Sequence, residues 1–182
     1  MFPRELEADD IIAYLCDTLE GSKVIVSVDK DFLQLVSSST LLYDPIRKEE
    51  YTTDNFEEKT GWDNTFNWLN AKCILGDKSD NVPGIPKFGK VKIIKWLKNE
   101  IKLTDEQLEI FKRNLSLFSL DAFHYKLEEK EYYEKQLNLP LEYNWKAFIS
   151  VCEQRRFNSF LKKKDSLYTM FIVKNRLQDL FS

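Results

Sequence analysis

Three tight groups of carboxylates stand out in this 182-residue chain: Glu7, Asp9 and Asp10; Asp29 and Asp31; and Asp77 and Asp80. Oxygen donors without histidine or thiol neighbours suit a hard cation, Mg²⁺ or Mn²⁺, better than Zn²⁺. If folding brings the groups into one cleft, their charges repel unless cations neutralise them. Two such ions about 3.5–4 Å apart can activate water and stabilise the leaving oxygen in phosphodiester cleavage. Each group alone also has a plainer use. Asp9 and Asp10 can complement a helix N-terminus, Asp29 can cap a following helix, and Asp77 and Asp80 can make a turn.

A second constellation is basic. Residues 81–98 contain Lys87, Lys90, Lys92, Lys95 and Lys98 and no acid. Gly84 and Gly89 let the backbone approach a ligand, and a helix starting near Lys90 aims free N–H groups and its dipole at a phosphate. Lysines on its first turn add an attraction that salt weakens. A solvated lysine face accounts for the charge alone but not for glycines just ahead of the helix.

These residues need elements to position them. Residues 6–18 open with acids and place Ile11, Leu15 and Leu19 on one helical face. Residues 23–28 then read as a buried strand ending in Asp29-Lys30-Asp31, an α/β pattern that sets Asp29 and Asp31 at the carboxyl edge of a sheet, where open α/β sheets bind ligands. A short helix over 32–36, a strand over 40–43 and a third over 49–53 follow. From Asn64 the pattern is helical up to a loop over 76–86, which holds two of the five glycines and two of the five prolines. The next helix, 90–98, has Val91, Ile94 and Leu97 on one face, and residues 104–181 read as amphipathic helices.

Composition fits a globular chain with 43% hydrophobic and 14% aromatic residues. The acids of the first nineteen residues exclude a secretory core, and no later run reaches membrane-spanning length, so a cytoplasmic location is expected. Cys16, Cys73 and Cys152 lie far apart and His124 is the sole histidine, which argues for buried free thiols against structural zinc. The net charge of −3 hides an asymmetry: residues 1–80 carry 17 acids and 8 bases, residues 81–182 carry 13 acids and 19 bases. One end concentrates carboxylates while the other is suited to a polyanion.

The order Glu7-Ala8-Asp9-Asp10, then Val28-Asp29-Lys30-Asp31-Phe32, then Gly76-Asp77-Lys78-Ser79-Asp80-Asn81-Val82-Pro83-Gly84-Ile85 with Gly89 beyond, resembles three successive motifs of the flap endonuclease family of 5′-nucleases. The C-terminal region is similar to phage-type members, the RNase H proteins of T-even phages among them. The resemblance implies a PIN-like α/β domain in residues 1–70, lacking its first strand, and a helical region in 71–182 with a helix-three-turn-helix DNA-binding element at about 76–98. It implies catalytic roles for Glu7, Asp9, Asp10, Asp29, Asp31 and Asp80 around two Mg²⁺ or Mn²⁺ ions, with Asp77 a further ligand, and DNA contacts from Gly84, Lys87, Gly89, Lys90 and Lys92. Branched or nicked DNA, with RNA–DNA hybrid as an alternative, would be the substrate, in the nucleoid or a phage-infected cell. Where the family has Gly-x-Gly before the DNA-gripping helix, often beside a K⁺ ion, this chain has Lys87-Phe88-Gly89.

Family members carry a strand with a metal-binding aspartate, then a helical arch, ahead of the Glu-Ala-Asp-Asp motif, whereas Met1 stands six residues before Glu7. A separate N-terminal polypeptide is therefore an expected partner. Gln178-Asp179-Leu180-Phe181 looks like a short sliding-clamp-binding peptide, although the plainer reading, the end of a helix packing Leu180 and Phe181 on the core, carries more weight. Two rival readings are a DNA-binding scaffold without turnover and a Mg²⁺-dependent phosphatase of the haloacid-dehalogenase type, to which the Gly/Pro loop and lysine helix are foreign.

Overall fold

The computed structural model describes residues 7–120, 131, 135 and 144–170. Two compact units divide at Lys126/Leu127. The first opens with helix α1 (Ala8–Thr18), whose start is fixed by the acids there: the Glu7 backbone N–H donates to Asp10 Oδ2 at 3.1 Å. Strand β1 (Lys23–Val26) pairs in parallel with β2 (Thr40–Asp44), which pairs antiparallel with β3 (Glu49–Tyr51). A 3-10 helix (Lys30–Leu35) connects β1 to β2, starting at Asp29, whose carboxylate accepts from the Asp31 N–H at 2.9 Å.

After α2 (Phe56–Thr60), α3 (Thr65–Leu75) begins at Asn64, whose side chain accepts from the Asn67 N–H at 2.8 Å. The loop beyond α3 closes on itself through the two-residue strands β4 (Gly76–Asp77) and β5 (Val82–Pro83). Helices α4 (Lys90–Leu97) and α5 (Asp105–Phe118) follow, the latter opened by a reciprocal Thr104/Gln107 capping box. The second unit holds α6 (Trp145–Gln154) and α7 (Asn158–Lys162), joined by edge-on stacking of Phe148 on Phe160.

Two buried clusters carry the first unit. One joins Ile25, Phe32, Leu33, Val36, Leu42, Tyr51 and Phe56; the other joins Cys73, Ile74, Ile85, Phe88, Ile93, Phe111 and Phe118 from α3, the segment ahead of α4, α4 and α5. Both clusters lie within the unit that ends at Lys126, and Trp62 packs against each of them. Among the described residues no helix is long and apolar enough to cross a membrane. The cysteines are free: Cys73 and Cys152 are buried, and burial pushes the Cys73 thiol up to about 12.

Three packing expectations change. Among the described strands β1 is the edge of its sheet, and Val24, Val26 and Val28 are 51–62% exposed while Ile25 is buried. On α1 the buried residues are Ala13 and Tyr14, while Leu15 and Leu19 line an open groove instead of the core. On α4 the buried residue is Ile93, supported by Trp96 and Leu97, and Val91 and Ile94 face outward. Trp96 packs edge-on against Phe111 with ring centroids 5.2 Å apart, against the same cluster that buries Ile93.

Candidate metal and nucleic-acid site

A cleft of about 510 Å³ is lined by Glu7, Asp9, Asp10, Asp29, Asp31 and Asp80, with Val82 and residues 116–120 as its other wall. Six of the seven carboxylates singled out in the sequence thus face one space, from the start of α1, the end of β1 and the β4–β5 loop. Each reaches it because it sits where a chain segment leaves the core. Lys30, between two of these acids, points elsewhere: its ammonium is 3.0 Å from the buried Asp44 and 2.9 Å from the Tyr51 hydroxyl.

The concentrated charge has an electrostatic signature. Burial, then the negative fields of Asp29, Glu7, Asp31 and Asp10, hold Asp9 above the usual carboxylate range. Asp31 is raised chiefly by burial, against the pull of Lys72. Asp77 does not line the cleft. One of its oxygens accepts from the Ser79 hydroxyl and backbone N–H, and the other is 3.2 Å from Lys72 Nζ; these partners, Ser79 first, lower it to about 2. Burial favours the neutral amine of Lys72, but hydrogen bonds and charge from Asp31 and Asp77 outweigh it and raise its pKa.

The donor set is hard oxygen throughout, and the repulsion felt by Asp9 is what a divalent cation relieves, so these residues fit Mg²⁺ or Mn²⁺ in kind. Among the described residues, no three Asp, Glu, His or Cys side chains stand close enough to grip one ion.

Beyond the cleft, the chain from β4 to α4 is set by close backbone approach. Gly76 adopts φ 72°, and a Cβ on Gly84 would meet the Leu75 carbonyl oxygen at 2.1 Å. Lys87 takes the left-handed conformation, φ 57°, where the family resemblance leads one to expect glycine. Lys87, Lys90 and Lys92 are all exposed. Lys90 Nζ lies 5.2 Å from the Trp62 ring, and Lys92 Nζ donates to the Lys87 carbonyl at 3.0 Å.

Three supporting side chains gave no signal in the sequence because they are single polar residues at helical positions. Lys72 bridges Asp31 and Asp77. Asn114, fully buried, donates to the carbonyls of Cys73 at 2.8 Å and Pro83 at 3.0 Å, tying the β4–β5 loop to α5. Gln34 bonds the Phe118 carbonyl and the Leu120 N–H, which anchors the second wall of the cleft. The C-terminal peptide at 178–181 lies outside the described residues.

Residues 2–61 match the family model described as the 5′-3′ exonuclease, N-terminal resolvase-like domain. Over 95 residues the chain is 42% identical to a 5′-3′ exonuclease of Aquifex aeolicus, covering 50% of this chain and 32% of that protein. It is 32% identical over 117 residues to the flap endonuclease Xni of Shewanella woodyi, covering 63% of this chain and 42% of the relative. The chain thus spans less than half the length of either. Its fold is shared with a mutant of the T5 5′-exonuclease, at a TM-score of 0.56 and 22% identity over 66% of this chain and 58% of that one. The same fold match extends to a phage T5 flap endonuclease in a pseudo-enzyme-product complex with DNA and metal ions. By motif order, family model and fold, the chain resembles the 5′-3′ exonuclease and flap endonuclease family of 5′-nucleases.

Proposed function

We propose that this chain is the carboxylate-bearing and DNA-gripping part of a structure-specific 5′-nuclease, which hydrolyses a phosphodiester near a 5′ end or flap in DNA or RNA–DNA replication intermediates. The observation that carries this reading is the convergence of six acids, from three separate segments, on one cleft. Glu7, Asp9, Asp10, Asp29, Asp31 and Asp80 would hold two divalent ions, Mg²⁺ or Mn²⁺. When bound, such ions supply activation of water and stabilisation of the leaving oxygen. The protein's own part is to fix the acids on element ends, to bound the cleft with the wall at 116–120, and to seat the duplex backbone on the β4–α4 element. There the open backbone at Gly89 admits phosphates, Gly84 sets the path of the loop by its close approach to Leu75, and Lys87, Lys90 and Lys92 attract the phosphates.

We further propose that activity needs an N-terminal segment from outside these 182 residues. Strand β1 pairs only with β2 among the described strands. Along it runs a groove of about 580 Å³ lined by Ile12, Leu15, Leu19, Val24 and Val26 and, at one end, by Asp9 and Asp29 of the cleft. An unpaired apolar edge is a template for another strand, and a strand seated there would end at the acids. Losing that segment removes substrate positioning and part of the charge neutralisation, effects each worth several kcal/mol of barrier, as order-of-magnitude estimates.

The test is cleavage of a 5′-flap duplex in Mg²⁺ or Mn²⁺, with and without the supplied segment, beside Asp29→Ala plus Asp31→Ala. Cleavage only with the segment, lost in the double variant, is expected. Robust cleavage by the chain alone refutes the requirement, and no cleavage under any condition favours a DNA-binding scaffold. That second reading draws support from Lys72, which holds Asp31 by an ion pair.

A further inference from the structure

Lys72 lies on the last turn of α3 with its side chain only 9% exposed. Its ammonium contacts Asp31 Oδ1, stands 3.2 Å from Asp77 Oδ2 and lies 4.5 Å from the centre of the Phe118 ring. A lysine that merely packed its stem would keep its charged end in water. An ammonium withdrawn from water needs opposite charge nearby, and here it takes that charge from one acid inside the cleft and one outside it. Asp77 is held from both sides, by Lys72 and by Ser79, which accounts for its absence from the cleft lining.

We propose that Lys72 is a positioning residue acting as a built-in cation of the acidic cleft: it aims Asp31, withholds Asp77 from the ligand set and thereby weakens the cleft's hold on divalent ions. This inference rests on the reading that the cleft takes such ions. A fixed positive charge on Asp31 repels any cation sharing that carboxylate. Its removal leaves the cleft one charge more negative and releases one of the two holds on Asp77, that of Ser79 remaining. The arrangement keeps the acids ordered while holding the affinity for ions down.

Calorimetric titration of the full chain with Mn²⁺ tests this, using the wild type, Lys72→Met and Lys72→Arg. The methionine variant should bind with a Kd lower by about tenfold or more, the scale expected for removing a unit charge from a partly buried site. The arginine variant, which keeps the charge, should stay within about threefold of wild type on the same argument. Saturating Mn²⁺ should also raise the melting temperature more for Lys72→Met than for wild type, because ligand stabilisation grows with affinity. Should methionine not fold, Lys72→Gln keeps a donor for both carboxylates without the charge, and the same gain is expected. An unchanged or higher Kd in the neutral variants overturns the inference, and so does an equal gain in Lys72→Arg. No Mn²⁺ binding by any variant overturns the reading of the cleft and the inference together.

Discussion

The acidic cleft and the lysine-bearing element are built in opposite ways. In the cleft, short carboxylates are fixed at element ends, and it is their charge that is under strain, as the raised Asp9 records. In the element from β4 to α4 the backbone is what is fixed. Gly76 and Gly84 abut one another and the end of α3, while the lysines above them stand in solvent. The contrast teaches that the cleft is specified through side-chain charge and the lysine element through the path of the main chain, which is what the proposed reading of one as an ion site and the other as a polyanion site requires. A substitution in one region should therefore fail where its counterpart in the other is tolerated.

The sharpest way to break this comparison is to alter the backbone of the lysine element without touching a charge. Gly84→Ala puts a methyl 2.1 Å from the Leu75 carbonyl oxygen and 2.5 Å from that of Ile74. Backbone cannot yield there without losing the Ile85 N–H to Ile74 carbonyl hydrogen bond of 2.7 Å. A loss of roughly 3 kcal/mol in unfolding free energy is expected, the upper range for overpacking a tight site. Gly89→Ala, whose new methyl meets nothing within 4 Å, should change stability by less than about 0.5 kcal/mol. Chemical denaturation of the two variants measures both; equal losses would mean that close approach is not what fixes this element.

A smaller effect is expected from deleting charge in the same region. Lys90→Ala plus Lys92→Ala should weaken duplex binding for all sequences alike and reduce the slope of log K against log salt by about one per lost phosphate contact. The two lysines need not contribute equally. Lys90 lies over the Trp62 ring, and Lys92 already donates to the Lys87 carbonyl. Binding measured across a salt series on two unrelated duplexes is the check, and an unchanged slope would put the duplex elsewhere on the protein.

The difference between the regions also governs how much was legible in the sequence. The carboxylates were legible because their spacing is short and each group sits at an element end: α1, β1, the 3-10 helix and β2 lie within two or three residues of where periodicity and turn residues put them. Burial was less legible. The Val-Ile-Val-Ser-Val run reads as a buried strand, yet β1 is an edge, and nothing local to a strand tells which neighbour it lacks. The face of α4 was misread for a related reason: Val91 and Ile94 are as apolar as Ile93, and only the cluster that Ile93 and Trp96 share with Phe111 of α5 shows which turns inward. Lys72, Asn114 and Gln34 each act through at least one partner 41 or more residues away in sequence, so no spacing rule reaches them.

The smallest predicted effect probes the cleft's charge directly. Asp9 is raised by burial and by four neighbouring acids, so folding makes its ionised form less favourable than in the unfolded chain. The sign follows: a carboxylate whose folded pKa is raised imposes no penalty below its unfolded value near 3.8. The penalty grows as pH rises towards the folded value and is complete above it. Asp77 runs the other way. Lowered to about 2, it contributes stability above its unfolded value near 3.8 that is lost as pH falls through about 2. Asp9→Asn should therefore stabilise the metal-free chain at neutral pH, by no more than about 1 kcal/mol for a partly exposed group whose field water screens. It should have no such effect near pH 3, where wild-type Asp9 already carries its proton. Adding Mn²⁺ should reverse the order at neutral pH, because the cation removes the repulsion and then needs the carboxylate that asparagine lacks. Melting curves at the two pH values, with and without the ion, read all four arms. A variant less stable than wild type in metal-free buffer at neutral pH would mean that Asp9 is held by a favourable contact rather than tolerated against its neighbours, and the comparison between a charge-strained cleft and a backbone-strained element would not stand.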